Sequence, residues 1–290
     1  MIDFRYHITS IAGIFIALAV GIIIGSGLVG GPSVKKQNSF IRQQIHDIQT
    51  RFNTLTIEIR RKDDTIRDLQ TELDRSERLA RAMIPSTLRG RLAGRNVAII
   101  QTGDYKEATA AVQSMLKNAG ANVTSVTRVV LPKRLESQAF DQPTGQDDAY
   151  SQLPAVLAAV VAEARNTDTL QALVDSGLLV LTGDYKRWNR LVVIVGGARR
   201  EYQKFEVVEG ALINQMKARS AIVVGCEIST AKVTSIPTYQ REKISTVDNI
   251  DRAAGQISLA FALAGEKGDY GAKPTADRFL PPSIESGRSR

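Results

Sequence analysis

The pentapeptide Thr-Gly-Asp-Tyr-Lys occurs twice, at 102–106 and at 182–186, each time directly after an apolar run. Open α/β sheets bind ligands outside the carboxyl ends of their strands, so Thr102, Gly103, Asp104, Thr182, Gly183 and Asp184 are the candidate ligand-loop residues. The plainer reading is two turns, with glycine bending the chain and each aspartate capping the segment after it. A third stretch, Gly-Gly-Ala-Arg-Arg at 196–200, could hold an anion through backbone N–H groups and Arg199 or Arg200, or form a glycine turn with a solvated basic tip. The two histidines are His7 and His46, both ahead of the globular region, so no Ser-His-Asp arrangement can assemble there. Neither GxGxxG nor GxxxxGK[ST] occurs. The soft metal donors Cys226, Met1, Met83, Met115, Met216, His7 and His46 are scattered, with no two at ligand spacing. Catalytic residues, a metal site and a resident cofactor are therefore not expected, and the chain is read as non-enzymatic.

The elements that would position these loops alternate in period. Asn96–Gln101 reads as a buried strand, 106–120 as its helix and 121–130 as the next strand. Apolar runs at 177–183, 190–197 and 220–225, a helix around 204–218 and another at 248–265 complete an α/β domain with a mainly parallel sheet over 95–268. The polar stretch 132–154, with Pro143 and Gly145, reads as a long loop, and the proline-rich end 269–290 as a disordered tail. Cys226 stands alone and excludes an internal disulfide.

Ahead of this domain the sequence predicts a short tail (1–9), a transmembrane helix (10–31) and a coiled-coil stalk (36–84). Residues 11–30 contain no charge and would span about 30 Å as a helix. A cleaved signal peptide is the competing reading, with small residues at 25–27, but the apolar run exceeds a usual h-region and the leader sets Asp3 beside Arg5. Gly13, Ala17, Gly21 and Gly25 recur every fourth position, which aligns them on one helix face where a second backbone could approach closely. In the stalk, Ile45, Phe52, Ile59, Ile66 and Leu73 fall at a positions and Ile48, Leu55 and Leu69 at d positions, a seam that favours a parallel dimer. In that pairing Glu58 would face Asp63 and Glu72 would face Glu77, repulsions that leave room for a different membrane protein as partner. Pro85 and Gly90 are expected to end the helix.

Of the formal charge of +8, residues 35–95 carry 14 Lys and Arg against 8 Asp and Glu. A basic excess beside a span suits an anionic lipid surface rather than nucleic acid, which is not expected as a partner. Lys35 and Lys36 after the span would on their own favour a cytoplasmic C-terminal side.

The N-terminal FRYHITSIAGIFIALAVGIIIGSGL, the adjoining coil and STVDNIDRAAGQISLAFALAGEKGDYG at 245–271 resemble the MctB-type copper transporter family of Gram-positive bacteria. The resemblance implies a single-pass protein of the cell membrane, with its C-terminal domain outside the cytoplasm. It also implies a part in copper efflux or homeostasis, and it is the only ground for considering copper. Related members named SteB are linked to envelope integrity and septal growth with a membrane partner, which supplies the alternative of a scaffold presenting its α/β domain.

Overall fold

The computed structural model of the protein describes residues 4–29, 32–130, 145–165, 168–200 and 205–286. They fall into two compact units, Met1–Leu73 and Asp74–Arg290. In the first, α1 (Phe4–Val29) contains the apolar stretch Ile8–Ser26, which has a mean hydropathy of 2.5, no buried residue, and length enough to cross a bilayer. Apart from the flanking residues and the helix's own backbone, no described atom lies within 4 Å of where a Cβ would stand at Gly13, Gly21 or Gly25. After it, α2 runs from Pro32 to Leu88 as one helix of 57 residues. Ile45, Ile48, Phe52, Leu55, Ile59, Ile66, Leu69 and Leu73 all stand exposed along it. The hydroxyls of Thr50, Thr54 and Thr56 donate to carbonyls four residues back, which satisfies these polar groups within the helix.

The second unit begins inside α2, earlier than the expected boundary at 95. Pro85 does not break the helix: it lacks the N–H that would bond the Arg81 carbonyl, yet the helix continues to Leu88. Ile84, Leu88 and Leu92 are almost wholly buried, and their burial outweighs the cost of an internal proline, about 3 kcal/mol. Ala80, within the range expected for the stalk, packs against this core. Glu77 accepts the backbone N–H of Ala253 at 2.9 Å, and Arg81 donates to the Asp251 carbonyl.

Seven strands form one sheet: β1 (Asn96–Gln101), β2 (Asn122–Val129), β3 (Leu179–Gly183), β4 (Leu191–Val195), β5 (Ile222–Cys226), β6 (Ser245–Val247) and β7 (Asp269–Tyr270). Their order is β3-β2-β1-β4-β5-β6-β7, and every neighbouring pair is parallel except β2 with β3. The central strands β1 and β4 are nearly continuous apolar runs because both faces are covered. Alternate residues feed two cores. Val97, Ile99, Leu191, Val193 and Val195 meet the end of α2, α3 (Lys106–Asn118) and α8 (Ala253–Ala264). Ala98, Ile100, Val192 and Ile194 meet α4 (Gly145–Glu163), α5 (Asp168–Asp175), α6 (Phe205–Ala218) and α7 (Ile236–Arg241).

Three expectations are corrected. The loop placed at 132–154 overlaps α4, because Leu153, Leu157, Val160 and Val161 bury a helical face that carries the helix back through Pro154; residues 131–144 lie outside the described chain. The helix expected at 248–265 starts at Ala253, since Asp248–Arg252 form the turn leaving β6. Residues 269–286 of the expected tail are ordered. Tyr270 is buried in β7, Ile284 of α9 (Pro282–Glu285) packs on the core, and the Asp248 carboxylate accepts the N–H groups of Ala272 and Lys273.

Leu88→Ala is expected to destabilise the second unit by roughly 2–5 kcal/mol in urea unfolding followed by circular dichroism. Val207→Ala, at a side chain 70% exposed, should change it by less than about 0.5 kcal/mol.

Candidate functional site

The strand order reverses between β1 and β4, the place where a parallel sheet ordinarily opens a ligand crevice at its carboxyl edge. Thr102, Gly103 and Asp104 leave β1 there, and Gly196 and Gly197 leave β4 beside them. The two turns close on each other. The N–H groups of Thr102 and Gly103 both donate to the Val195 carbonyl at 2.9 Å, and a Cβ at Gly103 would collide with the carbonyl oxygens of Gly196 and Gly197. Glycine at 103 is thus required by close backbone approach, and that approach fills the crevice.

The stretch 196–200 does not form an anion nest, because the N–H groups of 196–199 are already engaged. Gly196 donates to the Cys226 carbonyl, Gly197 to the Ser235 hydroxyl, Ala198 to the Val233 carbonyl and Arg199 to the Asp104 carboxylate at 3.1 and 3.2 Å. The Arg199 guanidinium lies over the Tyr105 ring and pairs with Glu107 at 3.0 Å, which caps the closed edge from outside. A hollow of about 230 Å³ remains beside Thr102, Gly103 and Asp104, lined also by Gln101, Lys106 and Arg128, smaller than the usual ligand cleft.

The second pentapeptide lies at the other end of the sheet. β3 runs against β2, so Thr182, Gly183 and Asp184 emerge at the amino edge of the parallel strands, where Asp184 N–H donates to the Thr124 carbonyl. The Asp184 carboxylate accepts the Lys186 N–H and pairs with Arg187, and Gly183 has φ +104°. This is a turn, and the two candidate loops are not brought together.

Two carboxylates that sequence reasoning missed lie buried under the glycine turns. Glu209 of α6 accepts the hydroxyls of Thr102 at 2.5 Å and Tyr239 at 2.8 Å. Burial, with the Glu227 carboxylate adding to it, pushes the Glu209 carboxyl up to about 7 against the bonds from Thr102 and Tyr239. Glu227, directly after β5, accepts the Ser235 N–H and the Thr234 hydroxyl and pairs with Lys273. Glu209 was readable in principle: it shares a helical face with Leu212, Ile213 and Met216, where a solvated glutamate has no place. Burial and the Glu227 carboxylate raise the Cys226 thiol far above its ordinary value, so it is neither nucleophile nor ready metal ligand. Met115 and Cys226 lie in one core and Met216 in the other, while His46 is exposed on α2. Among the described residues no three His, Cys, Asp or Glu side chains gather at metal-binding range. The network under the turns ties loops together, while burial favours the protonated form of Glu209.

A helix long and apolar enough to cross a bilayer, a long helix after it, and a three-layer α/β unit whose switch point is closed by backbone define a protein with one candidate membrane span and an α/β module. The family described as "Copper transport outer membrane protein, MctB" matches residues 1–281, and the chain belongs to that family. The proteins named Copper transporter MctB from Mycobacterium tuberculosis and Mycobacterium bovis are each 25% identical to it over 313 residues, covering 93% of this chain and 96% of the relative. The Mycobacterium leprae protein of the same name is 25% identical over 320 residues with the same coverage.

Because Glu209 binds its proton more tightly folded than unfolded, its contribution to stability is full below about pH 4.5 and is lost as pH rises through about 7. Unfolding free energy should fall over that window by on the order of 3 kcal/mol. Glu209→Gln should flatten that part of the curve when unfolding is measured from pH 4.5 to 8.

Proposed function

We propose that this chain is a membrane-anchored, non-enzymatic component of copper transport, efflux or homeostasis in the cell envelope, with copper as cargo of the system it serves. The observation that carries this reading is the family match across residues 1–281, joined to relatives named copper transporters. The α/β unit stands outside the cytoplasm in this proposal, in keeping with that kinship. A single helix encloses no channel, and a face of small residues suits dry contact with another helix rather than a water path. The burial of Cys226 and Met115 in one apolar core and of Met216 in the other also speaks for metal movement through a partner.

A second reading, an envelope-integrity or septal-growth scaffold, is favoured by the exposed apolar row from Ile45 to Leu73. Such a row in water calls for a neighbouring helix, as a parallel homodimer or in another membrane protein. Gly13, Ala17, Gly21 and Gly25 would set the register of the same pairing inside the bilayer.

A deletion strain is expected to become copper-sensitive, and Cys226→Ser and His46→Ala variants to restore growth on copper. Unchanged copper tolerance in the deletion strain overturns the copper role, and loss of rescue by either variant means that the chain ligates the metal itself. Ile59→Asp should abolish crosslinking of the stalk in membranes and, on the scaffold reading, alter cell shape; unchanged crosslinking overturns the pairing.

A further inference from the structure

At the amino edge of the parallel strands the second unit carries two adjoining hollows of about 510 and 600 Å³, which share Ile222 and Gly265. The first is lined by Trp188, Arg95 and Arg190, the second by Lys243 and Lys267 among others. Trp188 is 56% exposed although it is the chain's single tryptophan, and its position is fixed from behind. Its neighbour Asn189 is buried, accepts the Thr124 hydroxyl at 2.6 Å and donates to the carbonyls of Val161 and Arg187 at 3.0 Å. Arg187 is itself held by Asp184. The indole therefore stands on a braced turn.

The two arginines are brought together by the sheet. Val97 is registered against Leu191, so Arg190 stands level with Asn96 and Arg95 one residue beyond it, on adjacent strands whose axes are about 4.8 Å apart, and both arginines line the first hollow. Arg95, Arg190, Lys243 and Lys267 make no ion pair among the described residues. The acidic group on the same lining is Asp269, which accepts the Thr246 hydroxyl. Two exposed arginines beside the indole and two exposed lysines along the adjoining hollow give this edge a positive potential that an anionic ligand complements.

We propose that this edge is a docking groove for an acidic glycan, a chain of sugars bearing carboxylate or phosphate groups. One ring lies with its C–H face on Trp188, and its acid group is held by the guanidiniums of Arg95 and Arg190. The chain then continues past Ile222 toward Lys243 and Lys267, whose ammonium groups meet later acid groups as point charges. The concave shape sets this groove apart from a surface that rests on a flat bilayer. A single aromatic platform sets it apart from single-strand nucleic acid grooves, which repeat aromatic side chains for successive bases.

The full chain in neutral detergent provides the test, because its sole tryptophan lies in the groove. A hexameric oligogalacturonate should shift Trp188 emission in a saturable, salt-sensitive way, while neutral maltohexaose should not. The Arg95→Gln/Arg190→Gln variant, with unchanged circular dichroism and urea unfolding, should weaken binding at least tenfold, and Lys243→Gln/Lys267→Gln should weaken it less. An equal response to maltohexaose, unaltered affinity in the arginine variant, or tighter binding of oligothymidylate or phosphatidylglycerol vesicles through the same residues overturns the proposal. Copper sensitivity plays no part in this readout, so it stands or falls separately from the copper role.

Discussion

The docking of the last turns of α2 into the α/β core is the interaction on which the rest of the second unit depends. Ile84, Leu88 and Leu92 fill the layer that α3 and α8 also cover, so that face of the sheet is complete only with the end of the long helix in place. Polar ties fix the same joint. Glu77 satisfies an N–H at the start of α8, Arg81 holds the Asp251 carbonyl, and the Asp251 carboxylate in turn accepts the N–H and hydroxyl of Ser229. The helix thus serves as the first structural element of the domain, and the turns entering α8 and leaving β5 are anchored to it.

Closure of the switch point is the second constraint. Small side chains at 103, 196 and 197 let two backbones meet where a doubly wound sheet usually leaves space, and larger residues at Gly196 would meet the Tyr239 hydroxyl and Ser235. Beneath them, Glu209 and Glu227 are engaged by Thr102, Tyr239, Thr234, Ser235 and Lys273. Buried carboxylates this fully bonded hold loops in register; freeing one for chemistry would leave hydroxyl or N–H partners unsatisfied.

Much of this was legible in the residues. The apolar runs at 96–101, 190–197 and 220–225 became β1, β4 and β5, since continuous hydrophobicity over five or six residues is what a strand buried on both faces requires. The expected span and long helix came from absence of charge and from helical periodicity. Gly90, at φ +73°, does follow the end of α2, but inferences from proline alone failed. Pro85 and Pro154 sit inside helices because buried side chains on either side outweigh one lost hydrogen bond, a balance set by tertiary packing. The ordering of 269–286 depends on Asp248, Glu227 and Glu266, far away or on other elements, and no local pattern announces such partners. The second pentapeptide's place at the opposite edge was not legible for a topological reason: the direction of β3 cannot be read from its own five residues.

That reversed strand also sets a minimum length for the segment joining it to β4. To pass from β3 to β4 the backbone must cross beneath β2 and β1, three strand spacings or about 14 Å. Residues 184–190 must also dip far enough for Asn189 to reach Val161 on the opposite layer. Fully extended, the steps from Gly183 to Leu191 reach about 26 Å, so the crossing has slack for its bend but little to spare. Length variation within the family should therefore be asymmetric at this segment, with insertions tolerated and losses of more than about two or three residues absent unless β3 is lost as well.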